Sequence, residues 1–361
     1  MSQQPLLVIV GGLLGAGKTT LILAAARLLE AQGIRTAVIL NDQGGSLVDT
    51  EMARSNGLHA GEVTAGCFCC RFSELVSVAE SFGSYAPEVI FAEPVGSCTD
   101  LSATVLQPLQ ADFHQRFRIA PLTILVDPGR DVVPDSDVAF LLQNQIAEAD
   151  LVCFTKSDRY PHPPFQTPQT RQISAATGAG VAEWLTEIMS GSLTLRNVVL
   201  DIDYERYAQA EAALAWLNAE VELELKDALS PALVIGPLLD DLDRELTAAS
   251  IPILHLKALD RAPTGYVKAS ICANGEDPAV QGDLSASPSR SHRMLLNLRA
   301  VSPPEIVEAI TKSTLERLPG QPAILTLSCF SPAAPRPEHR VERPQGISNG
   351  HRNQGVDHAG R

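Results

Sequence analysis

The chain has 361 residues, 45% of them hydrophobic and 19% charged, which is enough to bury a sizeable core and to build two domains. A formal net charge of −14 repels polyanions at long range and argues against a nucleic-acid partner, and no apolar run approaches a membrane span. Seven cysteines, three of them within residues 67–70, argue against a disulfide framework and for metal or redox chemistry in a reducing compartment, the cytoplasm.

The start, MSQQPLLVIVGG, lacks the basic opening of a signal peptide. Leu6–Val10 is a continuous apolar run, as expected of a strand buried on both faces of a parallel sheet. Gly12–Thr19 then reads GLLGAGKT, with the spacing G-x-x-x-x-G-K-T. Between a strand and a helix this is a phosphate-binding loop. Gly12, Gly15, Ala16, Gly17 and Thr20 present backbone N–H groups, Lys18 reaches the β and γ oxygens, and the Thr19 hydroxyl ligates Mg²⁺. The following helix, Thr20–Gln32, places Leu21, Ile22, Ala25, Leu28 and Leu29 on one face, and Gly33 ends it.

Thr36–Leu40 is the second strand and delivers Asn41 and Asp42 to the edge where open α/β sheets bind ligands. Asn41–Asp49 (NDQGGSLVD) forms a loop near the phosphates, in which Asp42 and Asp49 orient Mg²⁺ or its waters; an ordinary turn fits the same residues. Cys67, Cys69 and Cys70 follow in GCFCC. Thiols at i, i+2 and i+3 converge on one soft or borderline ion, with Zn²⁺–sulfur bonds of about 2.3 Å. The helix expected over Ser73–Phe82 aims its N–H groups back at them and favours thiolates. Buried apolar cysteines and a redox pair remain as rival readings.

Glu88–Ala92 is a buried strand ending in Glu93-Pro94-Val95-Gly96. An acidic residue at that tip senses the γ-phosphate or holds Mg²⁺ through water, and Gly96 lets the backbone approach. Cys98 just beyond reads as a small core residue, with a satellite thiol as the alternative. Pro121–Val126 and Leu151–Phe154 are further strands, ending at Asp127 and at Thr155-Lys156-Ser157-Asp158. The Asp158 carboxylate can accept both donors of a guanine edge, a kind of contact that rejects the wrong base by up to about 10⁴-fold. The Lys156 stem covers the base plane, and Ser174 and Ala175 in ISAATG supply a second base contact.

In this order the motifs resemble the CobW-like metal-handling GTPases, relatives of the urease and hydrogenase accessory GTPases. The resemblance covers Leu6 to Met189 and is carried by GGLLGAGKTT, NDQGGSLVD, GCFCC, EPVG, TKSD and SAATG. It implies GTP hydrolysis with Mg²⁺, coupled to binding Zn²⁺ or Co²⁺ at Cys67, Cys69 and Cys70 and handing it to a client metalloprotein. It also implies a homodimer formed through the nucleotide face. Thr155 stands where the family's guanine motif has Asn, Asp42 where its switch often has Glu, and the eight histidines are scattered rather than clustered. The expected roles are catalysis for Lys18, Asp42, Asp49 and Glu93, and Mg²⁺ ligation by Thr19 and by Glu93, directly or through water. A non-catalytic metal-sensing GTP-binding regulator is the alternative, and a small-molecule kinase a weaker one.

The expected fold is α/β: a mostly parallel phosphate-loop sheet with helices on both faces over residues 1–190, then a smaller two-layer α+β domain over 191–330. In that second half Val198–Asp203 reads as a strand or connector, and Tyr204–Leu217 as an Ala-rich helix. Val221–Leu225, Ile251–Leu259, Tyr266–Cys272, Met294–Leu298 and Ile324–Leu327 read as strands, and Pro231–Ala249 and Pro303–Leu318 as helices. Asp277–Arg290 reads as a polar loop. His255 alternates within an apolar strand as a core or surface residue, and no constellation in this half points to chemistry. Residues 331–361, rich in Pro, Arg, Gly, Asn and His, are expected to be disordered.

Overall fold

The computed structural model describes residues 4–43, 48–55, 57–284 and 286–342. The middle of the NDQGGSLVD stretch, 44–47, and residues 343–361 lie outside the described residues. The first half alternates strand and helix: β1 (Leu6–Gly12), α1 (Lys18–Ala31), β2 (Thr36–Asn41), α2 (Val48–Ser55), β3 (His59–Val63), α3 (Phe72–Ser81) and β4 (Val89–Glu93). It continues with α4 (Gln107–Asp112), β5 (Arg118–Ile119), β6 (Thr123–Val126), α5 (Asp137–Glu148), β7 (Leu151–Phe154), β8 (Thr170–Gln172) and α6 (Val181–Met189).

The strands form one sheet in the order β3-β2-β4-β1-β6-β7-β8, with the short β5 beside β1, and every pairing in it is parallel. The order reverses at β1, so the loop after β1 opens at the switch point where such sheets bind ligands. Strand periodicity splits β1 between two cores. Leu7 and Ile9 pack with Phe72, Leu75 and the cysteine loop, whereas Leu6, Val8 and Val10 pack with Leu21, Ile22 and Ala25 of α1 and Trp184 of α6. That two-sided burial is why β1 reads as a continuous apolar run.

The second half comprises α7 (Tyr204–Ala212), β9 (Leu214–Leu229), α8 (Pro231–Ala248), β10 (Ile253–Ala262), β11 (Gly265–Ile271), β12 (Ala279–Gly282), β13 (Ser289–Val301), α9 (Pro304–Glu316) and β14 (Gln321–Phe330). Its six strands are ordered β12-β11-β10-β13-β9-β14, and all pairings are antiparallel. One face of the sheet packs on α8 and α9 through Leu217, Val221, Leu256, Ala258, Val267, Leu296 and Leu298.

Several expectations are corrected here. The helix expected over Tyr204–Leu217 stops at Ala212, and Leu214 begins a strand that runs to Leu229 rather than over Val221–Leu225 alone. β9 is paired on both sides, by β13 and β14, and those ladders override the helical preference of the Ala-rich stretch. Residues 279–282, expected within a loop, add an edge strand to β11. Residues 331–342, expected to belong to a disordered tail, run along the nucleotide domain. Ser331 Oγ donates to Ala212 O at 2.9 Å, and Val341 N donates to Ala103 O at 2.9 Å.

Candidate functional site

The glycines of the phosphate loop do what the motif requires. Gly17 stands at φ +93°, left-handed backbone that glycine adopts without a steric cost. Lys18, the first residue of α1, folds back over the loop, its Nζ donating to Gly12 O at 2.9 Å and Leu13 O at 3.2 Å, with Glu93 Oε1 at 4.0 Å. Burial pushes its ammonium toward neutrality, and Glu93 opposes that. The carboxyl of Glu93, also buried, is pushed up by desolvation, with Lys18 pulling the other way and the nearby Thr19 side chain opposing the rise slightly. Its Oε2 is buried without a partner.

Thr19, Glu93 and that orphaned oxygen fit a Mg²⁺ ion with bound waters, since hard oxygen donors are what it takes. Gly96 lies against the loop: a Cβ there would stand 2.7 Å from Leu14 N. The segment after β4 is therefore in van der Waals contact with the phosphate loop.

A cavity of about 250 Å³ runs from this loop to the ends of β7 and β8. It brings Gly15, Ala16, Gly17, Lys18, Thr19 and Thr20 together with Asp42, Asp49, Glu93, Lys156, Asp158, Ser174 and Ala175. Gly12, expected among the nucleotide contacts, does not line it. It sits at the end of β1 with a Cβ position only 2.4 Å from Leu125 O, and contributes the acceptor for Lys18. At the base end, Ser174 Oγ donates to Asp158 Oδ1 at 2.5 Å, and Lys156 Nζ lies 2.7 Å from Asp127 Oδ2 and 3.6 Å from Glu276 Oε1.

The roof of the cavity comes from the second domain, which the sequence reading left without chemistry. Residues alternating along β10, β11 and β13 turn their polar face to the phosphate loop: His255, Lys257, Lys268, Asn297 and Arg299 all line the cavity. Lys257 and Lys268 both pair with Asp49, and Lys268 Nζ lies 3.4 Å from Asp49 Oδ1. Burial raises the Asp49 carboxyl, but Lys257 and then Lys268 outweigh it and hold the group well below the carboxylate range. Arg299 Nη2 donates to both oxygens of Asp42, at 3.0 and 2.8 Å.

His255 is half-buried, and its imidazole is pushed well below its usual pKa, by desolvation first and Lys257 next. Arg130, in the loop after β6, donates through one Nη2 to Leu14 O, Leu254 O and Cys272 O at 2.7, 2.8 and 3.2 Å, clamping the two domains. The available signal was the alternation itself, with Lys, His and Arg on one face of otherwise apolar strands.

The thiols converge. Sγ–Sγ distances are 2.7 Å for Cys67–Cys69, 3.2 Å for Cys67–Cys70 and 3.8 Å for Cys69–Cys70. Tetrahedral bonds of 2.3 Å place sulfurs about 3.8 Å apart. Cys69 and Cys70 already meet that spacing, and a shift of Cys67 that opens its two pairs by about 1.1 and 0.6 Å completes it, so the set fits a soft or borderline ion. Cys67 and Cys69 are buried and Cys70 is half-buried. The Cys67 thiol is held well below its ordinary pKa by hydrogen bonds from Cys69 first and Cys70 next, and by the backbone N–H of Cys70. Cys69 is driven upward by that bond to Cys67. Cys98 is a buried member of the hydrophobic core, as expected, and is not one of the converging set, although it lies near enough to Cys67 and Cys69 that Cys67 pushes its thiol upward.

One side chain links the two sites. Asn41, at the end of β2 and lining the cavity, donates through Nδ2 to Gly66 O at 2.7 Å and Val63 O at 2.9 Å, and its Oδ1 accepts from Val95 N at 3.4 Å. It thus ties the thiol loop to the loop that follows Glu93. Over the thiols lies the 331–342 segment. Arg336 N donates to Cys70 Sγ at 3.1 Å, Glu338 N to Cys69 O at 2.9 Å, and the Glu338 carboxylate accepts from Ser73 N and Oγ at 2.9 and 2.5 Å.

No helix among the described residues is long and apolar enough to cross a membrane. No curated protein matches the chain. Among solved structures it is similar to Zn(II)-bound YjiA GTPase from E. coli, with 16% identity, 86% of this chain and 99% of that one covered, and a TM-score of 0.35. It is similar to HypB from Helicobacter pylori in complex with nickel, with 16% identity, 52% and 86% covered, and a TM-score of 0.39. HypB from Archaeoglobus fulgidus gives 18% identity, 53% and 91% covered, and a TM-score of 0.35. A sequence profile of the CobW/HypB/UreG nucleotide-binding domain matches residues 6–180. Residues 6–180 are therefore a nucleotide-binding domain of the CobW/HypB/UreG type.

Proposed function

We propose that the chain is a GTP-hydrolysing metallochaperone. It takes up a transition metal, Zn²⁺ or Co²⁺, at Cys67, Cys69 and Cys70, and couples GTP binding and hydrolysis to its transfer to a client protein. In this reading the backbone N–H groups of residues 15–20 and the Lys18 ammonium hold the β- and γ-phosphates. Thr19 and Glu93 hold Mg²⁺, which supplies charge stabilisation to the transferring phosphoryl group. Asp42 and Asp49 order the attacking water, whose oxygen bonds the γ-phosphorus as the bridge to the β-phosphate breaks. Asp158, Ser174 and Ala175 read the base. Cys70, half-buried at the edge of the cluster, faces the route by which metal enters and leaves.

The observation that carries the reading is the Asn41 amide, which touches the thiol loop and the loop after Glu93 from a position on the cavity wall. A γ-phosphate that draws Glu93 and Val95 toward itself pulls on Gly66, one residue before Cys67. Metal titration of the purified protein tests this. One ion per chain is expected, with an affinity that differs between a non-hydrolysable GTP analogue and GDP; equal affinities would end the coupling idea. A second reading, a metal-sensing GTP-binding regulator without turnover, is favoured by the engagement of Asp42 and Asp49 with cations. GTP turnover measured with and without metal separates the two.

A further inference from the structure

Lys257, Lys268 and Arg299 sit on a sheet face that would face water if the second domain stood alone. Instead Lys257, Lys268 and Arg299 are 9%, 6% and 4% exposed, packed over the phosphate loop. Register explains how they meet: Leu259 pairs with Lys268, and Lys257 with Ser270 and Asn297, so the two amines project from adjacent strands onto one carboxylate. The switch helix α2 is docked on the same face. Val48 N donates to Asn297 Oδ1 at 3.2 Å, and Val48 and Met52 pack on Leu259.

Charge is not balanced in this closed space. Lys18, Lys257, Lys268 and Arg299 converge on it, four cations against the three carboxyls of Asp42, Asp49 and Glu93, and burial opposes the ionisation of Lys18 and Lys268 as it does that of Glu93. In a chain of net charge −14, such a surplus of buried cations is costly unless an anion joins them. Position says which part of an anion. Lys257 acts electrostatically on both Lys18 and Glu93, at the end of the cavity opposite Asp158 and Ser174. Lys18 of this motif reaches the β- and γ-phosphates, so the amines from the second domain stand at the terminal phosphate.

We propose that Lys257 and Lys268 are ligands of the nucleotide's terminal phosphate, exchanging Asp49 for it when a triphosphate binds, so that the C-terminal domain distinguishes triphosphate from diphosphate. This rests on the proposed function only in taking a nucleoside triphosphate as the occupant. The exchange also releases Asp49, and with it α2, from the cations that hold it. The second domain is thereby told which nucleotide is bound.

The test is the ratio of affinities for a non-hydrolysable GTP analogue and for GDP, measured by calorimetry with Mg²⁺ present. Lys257→Met and Lys268→Met are each expected to lower that ratio about tenfold, the worth of one charge-assisted contact, with GDP affinity nearly unchanged. Asp49→Asn decides between phosphate contact and mere support of Asp49. A ratio kept in Asp49→Asn supports the proposal, and one lost there as fully as in the lysine variants overturns it, as does an unchanged ratio in both lysine variants.

Should a methionine variant fail to fold, side-chain ¹⁵N resonances of lysine in the unaltered protein answer the same question. Lys257 and Lys268 should move with the triphosphate analogue and not with GDP; identical spectra overturn the proposal. If the unaltered protein binds neither nucleotide, the functional reading itself falls, together with this inference. Binding of both nucleotides with no effect of the lysines removes this inference alone.

Discussion

Arg299→Met removes the guanidinium that joins the first switch carboxylate to the second domain while keeping most of the stem's volume. Arg299 is 4% exposed. It donates to both oxygens of Asp42, to Leu217 O at 2.7 Å and to Asn218 Oδ1 at 2.9 Å, and lies 4.3 Å over the Trp216 ring. Breaking a buried pair from one side costs about 3–5 kcal/mol, because the other charge stays behind. The Asp42 side chain is 18% exposed, so water takes up part of the loss and the lower end, about 3 kcal/mol, is expected. The contact with Trp216 contributes to the same total rather than adding to it. Urea unfolding followed by tryptophan fluorescence measures it, with Trp216 beneath the substitution and Trp184 in the other domain. Arg299→Met with Asp42→Asn completes a double-mutant cycle with a coupling above about 1 kcal/mol. A loss below about 1 kcal/mol for Arg299→Met, or additive changes in the cycle, would refute the claim that this pair fastens the domains.

Cys69→Ser should abolish stoichiometric metal binding and leave nucleotide affinity within about twofold, as titration with Co²⁺ and calorimetry would record; unchanged metal stoichiometry counts against the three-thiol site. Glu338→Ala removes the carboxylate that accepts from Ser73 at the start of α3, a cap worth about 1 kcal/mol. Cys70 should then react roughly five times faster with a disulfide reagent, and an unchanged rate means the 331–342 segment does not shield it. Glu148 is 1% exposed, and burial first of all pushes its carboxyl up to about 8 from an ordinary 4.5. A raised folded-state pKa means that stability is lost as pH climbs from about 4.5 to about 8. Glu148→Gln stays uncharged and should flatten that slope, gaining up to about 5 kcal/mol over the unaltered protein above pH 8; identical pH profiles in thermal unfolding would exclude an ionising Glu148.

Much of the nucleotide domain was legible because its signals are local. The run Leu6–Val10 is apolar throughout since β1 is buried on both faces, and the spacing from Gly12 to Thr19 admits few backbones other than a turn around phosphate. The three thiols of residues 67–70 could be read as one site because two and three residues of chain cannot carry them far apart. Cys98 lies 28 residues beyond Cys70, and only the parallel pairing of β4 between β1 and β2 brings its loop beside the thiols.

The second domain shows the other limit. Alternation along β10, β11 and β13 marks one polar face, but a polar face turned to water and one turned to a nucleotide look alike in sequence. The ladders that make Leu214–Leu229 a strand join residues dozens of positions apart, and they outweigh a local helical pattern that had no such partners to consult. Lys257, Lys268 and Arg299 therefore became part of the site only through docking of the two domains, which is a property of surfaces and not of spacing. Residues 331–342 follow the same rule. Their composition promises no core of their own, yet hydrogen bonds to Cys69, Ser73, Asp100 and Ala103 give them a surface to lie on.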